Sequence, residues 1–342
     1  MVNSLKKKRF GQYFTTNKEY IINNLIDIVP ENAVVVDPFC GDGDLLSMFK
    51  NNITIGLDIN PQNDSVKFNN SLVDFNYVDK WVVTNPPYLS KNKNKTKHLY
   101  EKYKTDDYYK IFLLTLVESP PKGGIAILPT NFLCSENKKV LIKFLESFYI
   151  HKVNIFEEQV FYDTPQSVCS FSFLKKDIKS SKECQNINIT FFPTQKVLST
   201  TIRPEEDYII GHEFYESISH DNELKIQRLE NNGVVPNSKL FLRAVDTSTP
   251  IQLSVDDSYF YGKCSDRAFA TLVFPNAISY EDQHFICNEF NKHLEHYREK
   301  YNSMFLTTYK DARNNKTRKR ITFRVAFRLV SKIIVENNIT TL

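Results

Sequence analysis

Between residues 17 and about 175 the chain alternates short apolar runs with longer segments whose apolar positions recur every three or four residues. AVVVDPF (33–39), ITIGLDI (53–59), WVVTNPPY (81–88) and GGIAILPT (123–130) have the length and β-branched content of buried strands, and SLVDF (71–75) is a further, shorter one. KEYIINNLIDIV (18–29), preceded by Asn17 and stopped by Pro30, has helical spacing, as do DLLSMFKNN (44–52), YYKIFLLTLVES (108–119) and ENKKVLIKFLESFY (136–149). HKVNIFEE and SVCSFSFLK close the series as two more strands. Such alternation predicts an α/β fold: a mostly parallel, doubly wound, Rossmann-like sheet with helices on both faces. Ligands of such sheets sit at the carboxyl ends of the strands.

The unusual residues fall at those ends. Asp37 ends the first strand and is followed by Phe39, Gly41 and Gly43, a glycine loop that allows a tight turn and close backbone approach to a ligand. A plain turn has the same spacing, so the next strand matters: it ends in GLDIN, with Asp58 placed to accept hydrogen bonds from ribose hydroxyls and Ile59 beside it. Asp74 and Phe75 add an acid and a ring. Position 46 is Leu46 rather than a third glycine, and no Lys-Ser/Thr pair follows, which disfavours a pyrophosphate site. An adenosine-bearing cofactor without phosphates fits better, and S-adenosylmethionine is such a molecule. Thr84–Ser90, TNPPYLS, stops a strand with residues that neither continue a sheet nor start a helix. Two prolines fix the backbone there and hold its carbonyls rigidly.

Composition sets the bounds. The chain has 342 residues, 41% hydrophobic and 25% charged, enough for two domains with sizeable cores. The polar break KKDIKSSKECQ suggests domains of 1–178 and 179–342, the second a smaller α+β unit. No apolar run has membrane-helix length and the N-terminus lacks the apolar core of a signal peptide, so a cytoplasmic protein without membrane contact is expected. The six cysteines form no C-x-x-C pair and the histidines no H-x-x-x-H, so neither a metal nor a disulfide framework is suggested. Net charge is only +4, but cations cluster at KNKNKTKHLYEKYK, with Lys91, Lys93, Lys95 and Lys97, and again near Arg318, Lys319, Arg320 and Arg324. Arg320, Arg324 and Arg328 would share one face of a final helix. Interleaved with Tyr and Phe, these runs suit a nucleic-acid backbone, although a solvated surface has the same composition.

The motifs VVVDPFCGDGD, GLDIN, VDF, TNPPY, GGIAILPTNFL and VFYDTPQSVCSFSF, in that order, resemble those of the N6-adenine DNA methyltransferases, and KKRFGQYFTT resembles a further cofactor motif of that family. The resemblance covers roughly residues 5 to 175 and implies S-adenosylmethionine as cofactor and double-stranded DNA as substrate. It also implies a C-terminal target-recognition domain and, in a restriction-modification system, a separately acting endonuclease. By the same analogy Tyr13, Phe14 and Thr15 meet the methionine end of the cofactor, Asp37 its amino group, Asp58 the ribose, Asp74 the adenine amine, and Phe39 or Ile59 the adenine faces. Asn85 and the Pro86 carbonyl, held by Pro87, would accept both hydrogens of the target amine, while Tyr88 and Phe161, with Tyr162 as a competitor, would stack on the extruded base. N-P-P-Y also occurs in methyltransferases of protein glutamine and ribosomal RNA, which form the alternative reading, and a non-catalytic DNA-binding subunit is another. Cytosine C5 chemistry is disfavoured because no Pro-Cys nucleophile is present, and cytosine N4 enzymes usually carry Ser in place of Asn85. The E-x-K of Glu223 and Lys225, with Asp207 and Asp221 upstream, is a weak nuclease signal.

Overall fold

The computed structural model describes residues 15, 17–134, 138–161, 166–177, 183–219, 224–230, 235–257, 260–263, 266–309 and 318–339. The chain divides into two compact units. The first takes in residues 1–133, 137–208 and 310–317, and the second 134–136, 209–309 and 318–342.

In the first unit nine strands form one sheet: β1 Val34–Asp37, β2 Ile53–Asp58, β3 Val66–Phe68, β4 Trp81–Thr84, β5 Gly123–Pro129, β6 Phe148–Phe156, β7 Val168–Lys175, β8 Gln185–Phe192 and β9 Lys196–Ile202. Their order is β3-β2-β1-β4-β5-β7-β6-β8-β9. β1 to β5 run parallel, β7 is inserted antiparallel between β5 and β6, and β8 and β9 extend the edge. Strand order reverses between β1 and β4, the position where ligands of open α/β sheets bind. The fold class expected from the alternation is the one observed. Its sheet is wholly buried at β4 and β5, which is why both read as unbroken apolar runs. Gly124 permits the closest approach in the sheet, since a Cβ there would lie 1.9 Å from the Val82 carbonyl oxygen.

Several expectations need correction. The boundary expected at 178/179 lies inside the first unit, which continues to Tyr208 because β8 pairs with β6 and β9 with β8. The third strand is Val66–Phe68, not SLVDF, which forms a turn. Three residues are too few to show alternation. DLLSMFKNN forms only a single 3-10 turn, Leu46–Met48, and KEYIINNLIDIV breaks into helix α1, Lys18–Ile22, and a 3-10 turn, Asn23–Ile28. The remaining described helices of this unit are α2 His98–Tyr103, α3 Tyr108–Glu118 and α4 Lys138–Ser147.

The second unit contains helix α5 His212–Ser217 and a four-stranded antiparallel sheet in the order β10-β13-β11-β12, made from β10 Gln227–Arg228, β11 Leu240–Arg243, β12 Gln252–Val255 and β13 Phe269–Val273. Helices α6 Tyr280–Lys300 and α7 Phe323–Glu336 contribute Ile286, Phe290, Leu329 and Ile333 to a core shared with Leu240, Leu242, Leu253 and Leu272 of the sheet. Ser279 caps α6 by accepting from the Asp282 N–H at 3.1 Å. A short hairpin, β14 Thr307–Tyr309 and β15 Arg318–Arg320, precedes α7. None of the described helices is long and apolar enough to cross a membrane.

Candidate functional site

A cavity of about 720 Å³ opens at the carboxyl ends of β1, β2 and β4. Among its lining residues are Thr15, Asp37, Phe39, Gly41, Asp58, Ile59 and Asn85, all expected from sequence, together with Pro87, Lys93 and Lys95. The residues meet because the sheet brings strand ends together: Asp37 ends β1, Asp58 ends β2, and Asn85 follows β4. The Thr84 hydroxyl donates to Asp37 Oδ1 at 2.6 Å, joining the strands across the point of reversal.

Asp58 is fully buried, and its two carboxylate oxygens accept from the Gly41 N–H at 3.0 Å and the Asn60 N–H at 2.8 Å. Gly41 and Gly43 have φ of 54° and 90°, so the loop uses the left-handed conformations open to glycine. Burial lifts the Asp37 carboxyl from its ordinary range to about 7 and the Asp58 charge adds to the rise, against the hydrogen bonds from Thr84 and the Phe39 N–H. Burial also pushes the Cys40 thiol up, which makes it a packing residue rather than a nucleophile. A Cβ at Gly56 would meet its sulfur at 2.7 Å.

Asn85 is buried and held from two sides. Its Nδ2 donates to Thr15 Oγ1 at 3.1 Å, bringing residue 15 of the N-terminal motif onto the prolyl turn. Its Oδ1 accepts from the Tyr88 hydroxyl at 2.5 Å, and the same hydroxyl lies 2.8 Å from the Ile127 carbonyl. Tyr88 is therefore turned inward, 9% exposed and edge-on to Tyr109, and it does not border the cavity. Pro86 and Gly43 do not border it either.

Other expected residues are placed elsewhere. Asp74 is exposed and outside the cavity, and Phe75 stacks on Tyr77 at 5.9 Å. Because β3 ends at Phe68, the residues that reach the cavity from it are Asn69, Asn70, Ser71 and Leu72. Phe161 is 1% exposed and does not line the cavity. Tyr13, Phe14 and Tyr162 lie outside the described residues. In the lysine run, Lys93 and Lys95 reach the cavity, whereas Lys91 lies 3.6 Å from Glu101 and Lys97 donates to the Lys91 carbonyl.

In the second unit Arg320 sits on β15, so the expected helical stripe is interrupted and only Arg324 and Arg328 are on α7, whose first residue is Phe323. Thr322 caps that helix through Oγ1. Strand alternation turns Lys319 inward to 6% exposure, where its N–H donates to Asp246 and its ammonium reaches Thr308. Arg318 is half-buried and Arg324 exposed. Of the nuclease residues, Asp207 pairs with Lys138, and 221 and 223 lie outside the described residues.

Sequence reasoning missed Asn69–Leu72, Asp44 and Tyr108 as cavity residues. The Asn-Asn pair before SLVDF was a usable signal, since a polar pair marks a strand end. Nothing local flagged Tyr108.

Residues 42–161 match the Eco57I restriction-modification methylase family. No curated protein matches. Among solved structures, the chain is similar to a protein from Vibrio vulnificus YJ016 described as the modification subunit of a type I restriction enzyme, at 15% identity over 65% of this chain and 57% of the other, TM-score 0.43. It is also similar to the EcoKI M protein of a type I restriction enzyme, at 16% identity, 53% and 48% coverage, TM-score 0.39, and to DrdV in its DNA complex, at 11% identity, 71% and 37% coverage, TM-score 0.42. The chain thus spans about half the length of these neighbours. The nine-stranded sheet with its antiparallel β7 has the fold of the S-adenosylmethionine-dependent methyltransferases, and S-adenosylmethionine is the cofactor.

The cavity's donors fit that molecule. One wall carries the carboxylates of Asp37, Asp44 and Asp58, which favour a cation and repel phosphate. The glycine loop leads into a single 3-10 turn, so no full helix aims its N-terminus at a pyrophosphate. Asp37 and Asp58 would hold the amino and ribose groups, with Phe39 and Ile59 against the adenine.

Proposed function

We propose that the protein is a DNA adenine-N6 methyltransferase, the modification activity of a restriction-modification system, with the second unit choosing the target sequence. The observation that carries this reading is the Asn85-Pro86-Pro87 turn, fixed by Thr15 and Tyr88, whose Asn85 and Pro87 border the same cavity as Asp37 and Asp58. An exocyclic adenine amine is a poor nucleophile because its lone pair is delocalised into the ring. An amide oxygen carries two lone pairs, so Asn85 Oδ1 can accept from more than one donor, and the Pro86 carbonyl follows directly. Accepting both amine hydrogens, these two oxygens draw the nitrogen toward tetrahedral geometry and aim its lone pair. When bound, S-adenosylmethionine supplies an electrophilic methyl group on a sulfonium centre. Tyr88 acts in this scheme by holding the Asn85 amide rather than by stacking on the base.

The base has to leave the duplex to reach this turn. Lys93 and Lys95, on the loop that follows the turn, supply positive charge at the wall opposite in character to the carboxylates, which suits an entering phosphate backbone. Arg318 and Arg324 offer further contacts from the second unit. Incubation with methyl-labelled cofactor and duplex DNA, structured RNA or protein as acceptors tests the reading. Label recovered as N6-methyldeoxyadenosine is the expected result; label in RNA or glutamine would replace the substrate, and no transfer to any acceptor would leave a DNA-binding subunit.

A further inference from the structure

We propose that Tyr108 is the stacking platform for the extruded target base, a position that neither the motifs nor the family match assigns. This inference rests on the reading that the cavity takes an adenine from DNA. Tyr108 opens helix α3 and borders the cavity together with Asn85 and Pro87. Its ring is already layered: Tyr100, itself 1% exposed, lies parallel to it at 5.0 Å and 9°. Its hydroxyl accepts from Asn94 Nδ2 at 2.5 Å, and the same amide donates to the Tyr100 hydroxyl at 3.1 Å, so both rings are fixed in plane.

The assembly is attached to the prolyl turn and not to the glycine loop. The Tyr108 N–H and the Tyr100 hydroxyl both donate to the Leu89 carbonyl, at 3.2 and 2.8 Å, four residues beyond Asn85. That attachment assigns the ring to the target base, because the cofactor's adenosine belongs at the ends of β2 and β3. The two rings expected for the task, Tyr88 and Phe161, are buried away from the cavity. A ring backed by Tyr100 and pinned by Asn94 loses no rotamer freedom when a purine lands on it, so more of the stacking energy offsets extrusion of the base.

The test uses the full-length protein and a duplex containing the site found methylated in DNA treated with the wild-type protein. Tyr108→Ala is expected to lower kcat/KM by about tenfold to a hundredfold, the range of one base–aromatic stack. Cofactor Kd should move less than about threefold and Tyr108→Phe should stay near wild type, because the ring and not the hydroxyl makes the stack. On a duplex whose target adenine faces an abasic site, where extrusion costs less, the Ala defect should shrink. The fluorescence rise of 2-aminopurine at the target position should weaken in the Ala variant. If Tyr108→Ala lowers thermal stability, Tyr108→Leu, with an apolar side chain and no ring, takes its place. Equal defects on both duplexes, a defect confined to cofactor affinity, or wild-type behaviour would each overturn the platform. A wild-type protein that transfers no methyl group to DNA would instead refute the substrate reading on which it rests.

Discussion

The two units bury comparable kinds of residue and use them differently. In the first, polar side chains are concentrated where parallel strands end: Asp37, Asp58, Thr84 and Asn85 are all buried, and all but Thr84 line one cavity. In the second, half-buried polar groups secure the fold itself. Asp246 accepts from Arg298 through both oxygens, at 2.9 and 3.1 Å, and from the backbone N–H groups of Ile251 and Lys319, which ties α6 to the loop before β12 and to β15. Buried polarity therefore signals chemistry only where the surrounding topology leaves room for a ligand. The same burial within an antiparallel sheet and helix pair is a staple.

The largest expected effect falls on the staple side. Phe290→Ala, removing a fully buried ring from the second core, should cost about 3–5 kcal/mol in denaturant unfolding. Asn85→Ala should lower kcat by about 10²–10³-fold, the cost of removing one acceptor aimed at the reacting group, with cofactor affinity changed only a few fold and little change in stability. A large stability loss in that variant would erase the contrast between the units.

Asp37 sharpens the contrast through pH. Its carboxyl titrates near 7 in the folded chain and in the ordinary acid range when unfolded. The folded state therefore holds a proton that the unfolded state releases, and the Asp37 contribution to stability falls as pH rises from about 4 to 7 and is level above. Affinity for a cationic cofactor moves the opposite way, strengthening as pH rises through about 7 and the carboxylate forms. Titration calorimetry across that range should show the trend in the wild type and a flat profile in Asp37→Asn. The smallest effect concerns the lysines. Replacing Lys93 and Lys95 should flatten the salt dependence of DNA binding by about 0.9 per lost phosphate contact, and replacing Lys91 and Lys97, already engaged within the loop, should not.

What could be read in advance follows the same division. The fold class and the cavity residues at the ends of β1, β2 and β4 were legible because parallel strands are buried on both faces and their ends carry short, local signals, as in VVVDPFCG and WVVTNPP. Asp74 and Phe75 were misplaced because β3 has only three residues and its register cannot be inferred from alternation. The inward turn of Tyr88 depends on the Ile127 carbonyl of β5, 39 positions away, and Tyr108 reaches the cavity through a bond to Leu89. Neither contact leaves a local trace. Arg320 was read as helical because arginines at four-residue intervals have the same spacing whether or not a hairpin interrupts them, and only Thr322 as a cap marks the start of α7.

The unequal walls of the cavity impose an electrical gradient on anything that enters. In the proposed reading a polyanion is favoured beside Lys93 and Lys95 and disfavoured near Asp37, Asp44 and Asp58, while a small cation follows the reverse preference. Two ligands of opposite sign would then favour different sets of side chains, and neither would compete for the other's place.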